Sequence, residues 1–299
     1  MHSRADEPAV LTSRTATVGA ISVRRALPQR RQRTVGAWCF ADHLGPARVT
    51  AQRGLDIGPH PHIGLQTVTW LTAGEALHRD GLGTEQTIRP GQLNLMTAGR
   101  GLAHAEEATG SYEGRLEGIQ LWVALPEATR HGPASFQHHA DLPRFEGSAL
   151  DVTVLVGAYG GVSSPTRHDT PLVGLDLALR AEALVPLAPA FEHALIVLEG
   201  AVSAPGATLE PGRIAIWQPG RDALRLVPLE PSRAILLGGP PFPETISMWW
   251  NFVARTRDEI AAAARSWRER DGRFAPVASA LAPLEPPGVP WRLEGRPHP

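Results

Sequence analysis

One stretch of this chain appears twice, and that repetition constrains the fold more than any other feature. Thr87-Ile88-Arg89-Pro90-Gly91-Gln92-Leu93-Asn94-Leu95-Met96-Thr97-Ala98-Gly99 returns as Thr208-Leu209-Glu210-Pro211-Gly212-Arg213-Ile214-Ala215-Ile216-Trp217-Gln218-Pro219-Gly220. Each copy follows an apolar run that ends in a turn glycine, Trp70-Leu71-Thr72-Ala73-Gly74 and Val197-Leu198-Glu199-Gly200. The unit is strand, Gly turn, strand, Pro-Gly turn, strand. Two copies predict two similar β-lobes; the alternative is two unrelated hairpins that share a common turn type.

The remaining pattern agrees with a meander of strands. Runs from Val18 to Val23, Gly36 to Phe40, Thr67 to Leu71, Gln92 to Met96 and Gly118 to Leu125 are punctuated by Gly, Pro and Asp. With 30 Gly and 28 Pro in 299 residues, turns are frequent enough to connect many short strands. The expected organisation is a first lobe over 15–128, a linker or surface loop over 129–149, a second β-rich lobe over 150–282 and a Pro-rich extended tail over 283–299. One helix is expected near the end. Thr256 with Glu259 is a capping-box pattern, and Ile260, Ala263, Ala264 and Trp267 share a helical face that should pack onto a barrel wall.

Charge narrows the function. Lysine is absent, so arginine supplies all 29 positive charges against 30 acidic residues, giving a net charge of -1 and no long-range attraction for nucleic acid or an anionic membrane. The basic run from Arg24-Arg25 to Arg33 is interrupted by Leu27-Pro28 and reads as a solvated loop. Cys39 is the single cysteine and sits in an apolar run, where it reads as a buried small hydrophobe. No signal-type segment or apolar stretch near the ~18 residues of a membrane span is visible, so a soluble cytoplasmic protein is expected.

The chemistry concentrates in two short pairs. In His60-Pro61-His62 the prolines exclude a helix, and in an extended segment the two imidazoles point to one side. In Gly99-Arg100-Gly101-Leu102-Ala103-His104-Ala105-Glu106 a Gly turn precedes a second i, i+2 pair, His104 and Glu106. Facing each other inside a barrel, the two pairs would offer three imidazole nitrogens and one carboxylate oxygen. That set suits Fe(II), Zn, Ni or Cu better than Mg or Ca, and it leaves positions open for exogenous ligands. Imidazole ligation implies affinity falling as pH drops through ~6.5. Each pair alone reads as a solvated or backbone-bonded histidine, and the joint occurrence is what favours metal. No His-Glu-x-x-His, Cys-pair zinc site, phosphate loop or nucleophile elbow competes.

Other histidines carry plainer expectations. His78 reads first as a surface-loop residue, with a place in the pocket lining as the alternative, His43 as hydrogen-bonded to Asp42, and His138 and His139, being adjacent, as facing opposite sides.

His60-Pro61-His62-Ile63-Gly64-Leu65 with Met96-Thr97-Ala98-Gly99-Arg100-Gly101-Leu102-Ala103-His104-Ala105-Glu106 resembles the signature of the pirins, a branch of the cupin superfamily. Gly36-Ala37-Trp38-Cys39-Phe40-Ala41-Asp42-His43 and Met248-Trp249-Trp250-Asn251-Phe252-Val253-Ala254-Arg255 extend the likeness. The resemblance implies an all-β bicupin, two cupin-type barrels in tandem, with one divalent metal in the first. Fe(II) is the first choice and Zn, Ni, Cu or Mn the alternatives, ligated at His60, His62, His104 and Glu106. It further implies a quercetin 2,3-dioxygenase-like oxidoreductase that takes a small aromatic substrate and dioxygen, with Glu106 also a candidate proton acceptor. The alternative is an iron-containing regulatory protein that binds a protein partner. The chain departs from many pirins at Gln66, where Glu is common, and at Ile63, where Arg is common, which is expected to alter pocket polarity. In the second lobe the matching segment, Phe191-Glu192-His193-Ala194-Leu195-Ile196, lacks both pairs. No metal is expected there, and His193 reads as a strand-end residue with backbone partners.

Overall fold

A computed structural model of the chain describes residues 7–291. The described residues form two β-lobes of like construction, each a large antiparallel sheet facing a four-stranded one. In the first lobe the large sheet runs, in spatial order, Ser135–His139, Leu93–Thr97, Leu65–Ala73, Gly114–Ala124, Trp38–Val49, Ile21–Leu27 and Arg14–Val18. Its four-stranded partner is Ile57–His62, Leu102–Glu107, Ala76–Asp80 and Glu85–Ile88. The second lobe repeats the plan, with Glu192–Glu199 and Ser232–Gly239 central in its large sheet and Ala183–Pro186, Ala223–Pro228, Val202–Ala204 and Ala207–Leu209 in the small one.

The repeated segments occupy equivalent places. In each lobe the strand before the Pro-Gly turn edges the small sheet and the strand after it joins the large one, Glu85–Ile88 to Leu93–Thr97 and Ala207–Leu209 to Arg213–Trp217. Gly91 (φ 84°) and Gly212 (φ 97°) supply the left-handed backbone that lets the chain cross between sheets.

The large sheets pack back to back. Val68, Trp70, Ile119 and Leu121 of the first lobe share one apolar cluster with Ile196, Ile235 and Leu237 of the second. Alternation turns Gln120 and Trp122 the other way, into the first lobe, where they line a cavity. Burial on both faces explains why these strands read as continuous apolar runs. The interiors of the lobes differ: the second is filled by Val154, Leu175, Leu177, Val197, Leu236 and Trp217 among others, whereas the first keeps an open, partly polar cavity.

Several expectations need correcting. The run Val18 to Val23 is a hairpin, because the chain reverses at Gly19 (φ 54°), where any Cβ would lie 2.0 Å from the carbonyl oxygen of Leu55. The segment 129–149 carries two strands: Ser135–His139 extends the first lobe's sheet beside Leu93–Thr97, and Arg144–Phe145 pairs within the second. Ahead of the first lobe, Ala9–Thr12 pairs with Arg213–Trp217 of the second. Arg24 and Arg25 lie on the strand Ile21–Leu27, and alternation carries Arg25 inward to a bidentate pair with Asp42 at 2.9 and 2.8 Å. His43 cannot reach Asp42 because neighbours in a strand face opposite sides; its Nε2 sits 3.3 Å from a Glu117 carboxylate oxygen. Burial pushes the Cys39 thiol up to about 12, as suits a buried small hydrophobe.

The helix Arg257–Glu269 is capped by Thr256, whose hydroxyl accepts the Glu259 N–H at 3.2 Å. Glu259 in turn accepts the Arg255 N–H at 3.0 Å. Ile260, Ala263 and Ala264 are buried against Ile63, Ala103 and Phe252, with Trp267 partly buried beside them. Beyond it the chain crosses the first lobe, the Leu284 N–H donating to the Pro59 carbonyl at 2.8 Å and the Trp267 indole N–H to the Leu284 carbonyl at 2.8 Å. Residues 292–299 of the expected tail lie outside the described residues. No helix among the described residues is long and apolar enough to cross a membrane.

Candidate metal centre

The four-stranded sheet of the first lobe presents a row of polar side chains on one face. Its central strand, Leu102–Glu107, pairs with Ile57–His62 on one side, placing His104 opposite His60 and Leu102 opposite His62. On the other side it pairs with Ala76–Asp80, placing His104 opposite Asp80 and Glu106 opposite His78. Period-2 alternation therefore puts His60, His62, His104, Glu106, His78 and Asp80 on the same side of the sheet. The two expected pairs share this face, and a third i, i+2 pair, His78 and Asp80, joins them.

The three imidazoles close into a cluster whose potential ligand atoms lie within 4.8 Å of one another, all buried. The Nε2 atoms of His62 and His104 are 3.1 Å apart. Two nitrogens bound at right angles to one ion at ~2.1 Å would be separated by about 3 Å. Every Nδ1 is engaged elsewhere: that of His60 at 2.9 Å from the Gly58 carbonyl oxygen, that of His62 at 2.9 Å from the Asn251 carbonyl oxygen, and that of His104 at 3.3 Å from His78 Nδ1. A carbonyl can only accept, so His60 and His62 carry their protons on Nδ1 and leave Nε2 bare. A bare Nε2 buried beside other imidazoles offers a lone pair that a cation can take. The donor set fits a divalent transition metal.

Electrostatics point the same way. Burial lowers His60 to about 4 against the pull of the Gly58 carbonyl, and burial, with neighbouring imidazoles adding to it, holds His62 and His104 well below the usual range. The rings are thus neutral at pH 7, the state a metal needs.

Glu106 stands apart from the tight cluster, although it lines the same cavity. The cause is a β-bulge. Between His104 and Glu106 the register slips, so that Glu106 faces Ile57 rather than the residue two before His60. Among the described residues no hydrogen bond reaches its carboxylate, and burial alone pushes its pKa up to about 7.

The cavity above the histidines has a volume of about 390 Å³. Its wall includes Phe40 and Trp122, stacked with centroids 3.9 Å apart, and the Arg25 guanidinium lies 4.6 Å from the Phe40 centroid. Trp250, Asn251 and Leu284 reach it from the C-terminal part of the chain. Gln66 and Ile63 are not among its lining residues, so the expected effect of those departures on pocket polarity does not arise at this wall. Gln66 instead donates to the Thr97 hydroxyl at 3.0 Å, and Ile63 bridges to Phe252.

His78 lies elsewhere than expected. His78 is a buried strand residue, its ring stacked on Phe136 with centroids 4.5 Å apart; its alternation with Asp80 was the signal that could have found it. His193 is buried at the start of the strand Glu192–Glu199, where burial lowers its pKa against the pull of a hydrogen bond with the Phe191 backbone.

Residues 20–123 match the family described as Pirin and residues 173–275 the one described as Pirin C-terminal cupin domain. A Pseudomonas aeruginosa protein that carries the provisional name quercetin 2,3-dioxygenase is 46% identical over 95% of this chain and 91% of its own. A pirin-like protein of Caulobacter vibrioides is 36% identical over 87% of this chain and 92% of its own. Among solved structures, a quercetin 2,3-dioxygenase from Acinetobacter baumannii superposes with a TM-score of 0.92 at 41% identity, covering 96% of this chain and 97% of that one.

Proposed function

Because this chain belongs to the pirin family and has its tandem bicupin fold, we propose that it is a metal-dependent dioxygenase acting on a flavonol-like or other enolisable aromatic substrate. One divalent metal, Fe(II) first, would be held by His60, His62 and His104, with Glu106 as fourth ligand. The observation that carries the reading is the convergence of three buried imidazoles, His60, His62 and His104, in the lining of a cavity that Phe40 and Trp122 also wall. The similarity to proteins named as quercetin 2,3-dioxygenases supports the reaction class.

The bound metal would supply Lewis acidity toward an enol oxygen and redox contact with dioxygen. The chain's own groups do the remainder. Phe40 and Trp122 offer a flat apolar face for a planar ring, with Trp122 set edge-on to His62 at 5.1 Å between centroids. Gln120 is held by the Thr69 hydroxyl, which donates to its amide oxygen at 2.9 Å and leaves its NH₂ group as a donor at the wall. Glu106, with no hydrogen bond to break, can turn toward the metal and accept the substrate's proton at its carboxylate. Oxygen uptake by anaerobically reconstituted protein, screened against flavonols, tests the proposal. Uptake that requires both metal and flavonol and is lost in His104→Ala is expected, and a fully loaded protein inert toward every flavonol would overturn the substrate assignment.

A further inference from the structure

His60 and His62 hand their Nδ1 protons to backbone carbonyls, but His104 does not. Its Nδ1 faces the Nδ1 of His78 at 3.3 Å, and His78 Nε2 faces the Asp80 carboxylate at 3.1 Å. We infer that Asp80 and His78 are positioning residues that set the tautomer of His104, and through it the affinity of the centre for metal. The inference rests on the reading of the three histidines as ligands.

One Asp80 oxygen is committed to a turn, accepting the N–H groups of Leu82 at 2.9 Å and Thr84 at 3.0 Å. The other oxygen can only accept, so the proton between it and His78 sits on His78 Nε2. A neutral His78 protonated there has a bare Nδ1, which accepts the Nδ1–H of His104. His104 Nε2 is then bare and points at His62 Nε2. Two buried side chains thus do for His104 what a peptide carbonyl does for each of the other ligands. A peptide carbonyl cannot be reversed by mutation, whereas this chain of donors and acceptors can. Packing holds the relay in place: His78 is stacked on Phe136, and Asp80 is buried.

Asp80→Asn should reverse the relay without changing its shape. The two backbone N–H groups of the turn still demand an oxygen, so the new amide must turn its NH₂ toward His78. His78 Nε2 then becomes an acceptor and its proton moves to Nδ1, facing His104. His104 must accept there and place its own proton on Nε2, where the metal should bind.

The test uses the full-length, metal-free protein with ¹⁵N-labelled histidine, titrated with Ni(II). In the wild type, nitrogen shifts should show His104 protonated at Nδ1. In Asp80→Asn they should show it protonated at Nε2, with Ni(II) affinity reduced about 10- to 100-fold. His78→Asn supplies an amide oxygen near the old Nδ1 and should restore the acceptor for His104, so that adding Asp80→Asn in that background changes affinity less than about 3-fold. A purely structural or charge role for Asp80 predicts equal losses in both backgrounds, which would overturn the inference. Should Asp80→Asn lower the melting temperature of the metal-free protein by disturbing the turn, His78→Phe removes the acceptor with Asp80 intact and should give a similar loss; unchanged affinity there would also overturn it. A wild type that binds no Ni(II) would instead defeat the metal reading, while the nitrogen shifts of the metal-free protein still decide the relay.

Discussion

His62 and His104 bring their Nε2 atoms to 3.1 Å, although His62 already commits its proton to the Asn251 carbonyl on the far side of its ring. That carbonyl lies between the short strands Ser247–Trp249 and Phe252–Ala254, which follow the last strand of the second lobe's two sheets, Ser232–Gly239. The C-terminal part of the chain therefore sets the tautomer of a ligand on the first lobe. A divalent ion bound by the two nitrogens would stabilise the folded chain through mass action.

Glu106 separates a ligand from a base. Glu106→Gln keeps a carbonyl oxygen in the same place and should weaken metal binding. If the carboxylate also takes the substrate's proton, turnover should fall by about 10²- to 10⁴-fold even at matched metal occupancy, because an amide cannot act as a base. An unchanged kcat in the fully loaded variant would remove the proton-transfer role and leave the metal site standing.

The pH dependence of metal binding should depart from that of exposed histidines, which would compete with metal below ~6.5. Burial holds His60 to about 4, so protons compete for its ring only in distinctly acidic solution. Glu106 behaves in the opposite sense: raised to about 7 by burial, it keeps its proton below neutrality in the metal-free protein and must release it to bind. Affinity for Ni(II) should fall about tenfold per pH unit from pH 7 toward 4, and more steeply below. Titrations of Glu106→Gln should be flat over the first range. A flat wild-type curve between pH 7 and 5 would take Glu106 out of the ligand set.

In the second lobe, His193 should weigh on stability and not on metal. Burial lowers it to about 4, so the folded protein holds it neutral while the unfolded chain protonates it below ~6.5. Its contribution is fully present above ~6.5 and is lost as pH falls from there to about 4, by at most about 3 kcal/mol, with no further change below. His193→Leu should flatten the melting temperature of the metal-free protein against pH in that window relative to wild type, and should leave metal content unchanged. Loss of metal in this variant would mean that the second lobe contributes to the centre.

Much of the fold was legible because its signals are local. The repeat marked two lobes through glycines that a sheet-to-sheet crossing requires, and Thr256 with Glu259 marked the helix start. The histidine cluster was legible because alternation needs nothing beyond a strand. The bulge that sets Glu106 back was not, since it arises from the register of a partner strand. Nor was the Asn251 contact, because a backbone carbonyl leaves no trace in side-chain identity. Arg25 was hidden by its basic neighbours, and its role depends on Asp42 one strand away.

The metal count tests the centre most directly. After anaerobic reconstitution with Fe(II) and removal of loosely held metal, elemental analysis of the wild type should give one equivalent per chain, and His104→Ala should give almost none. Two equivalents, or one equivalent that survives His104→Ala, would contradict a single centre built on His60, His62 and His104.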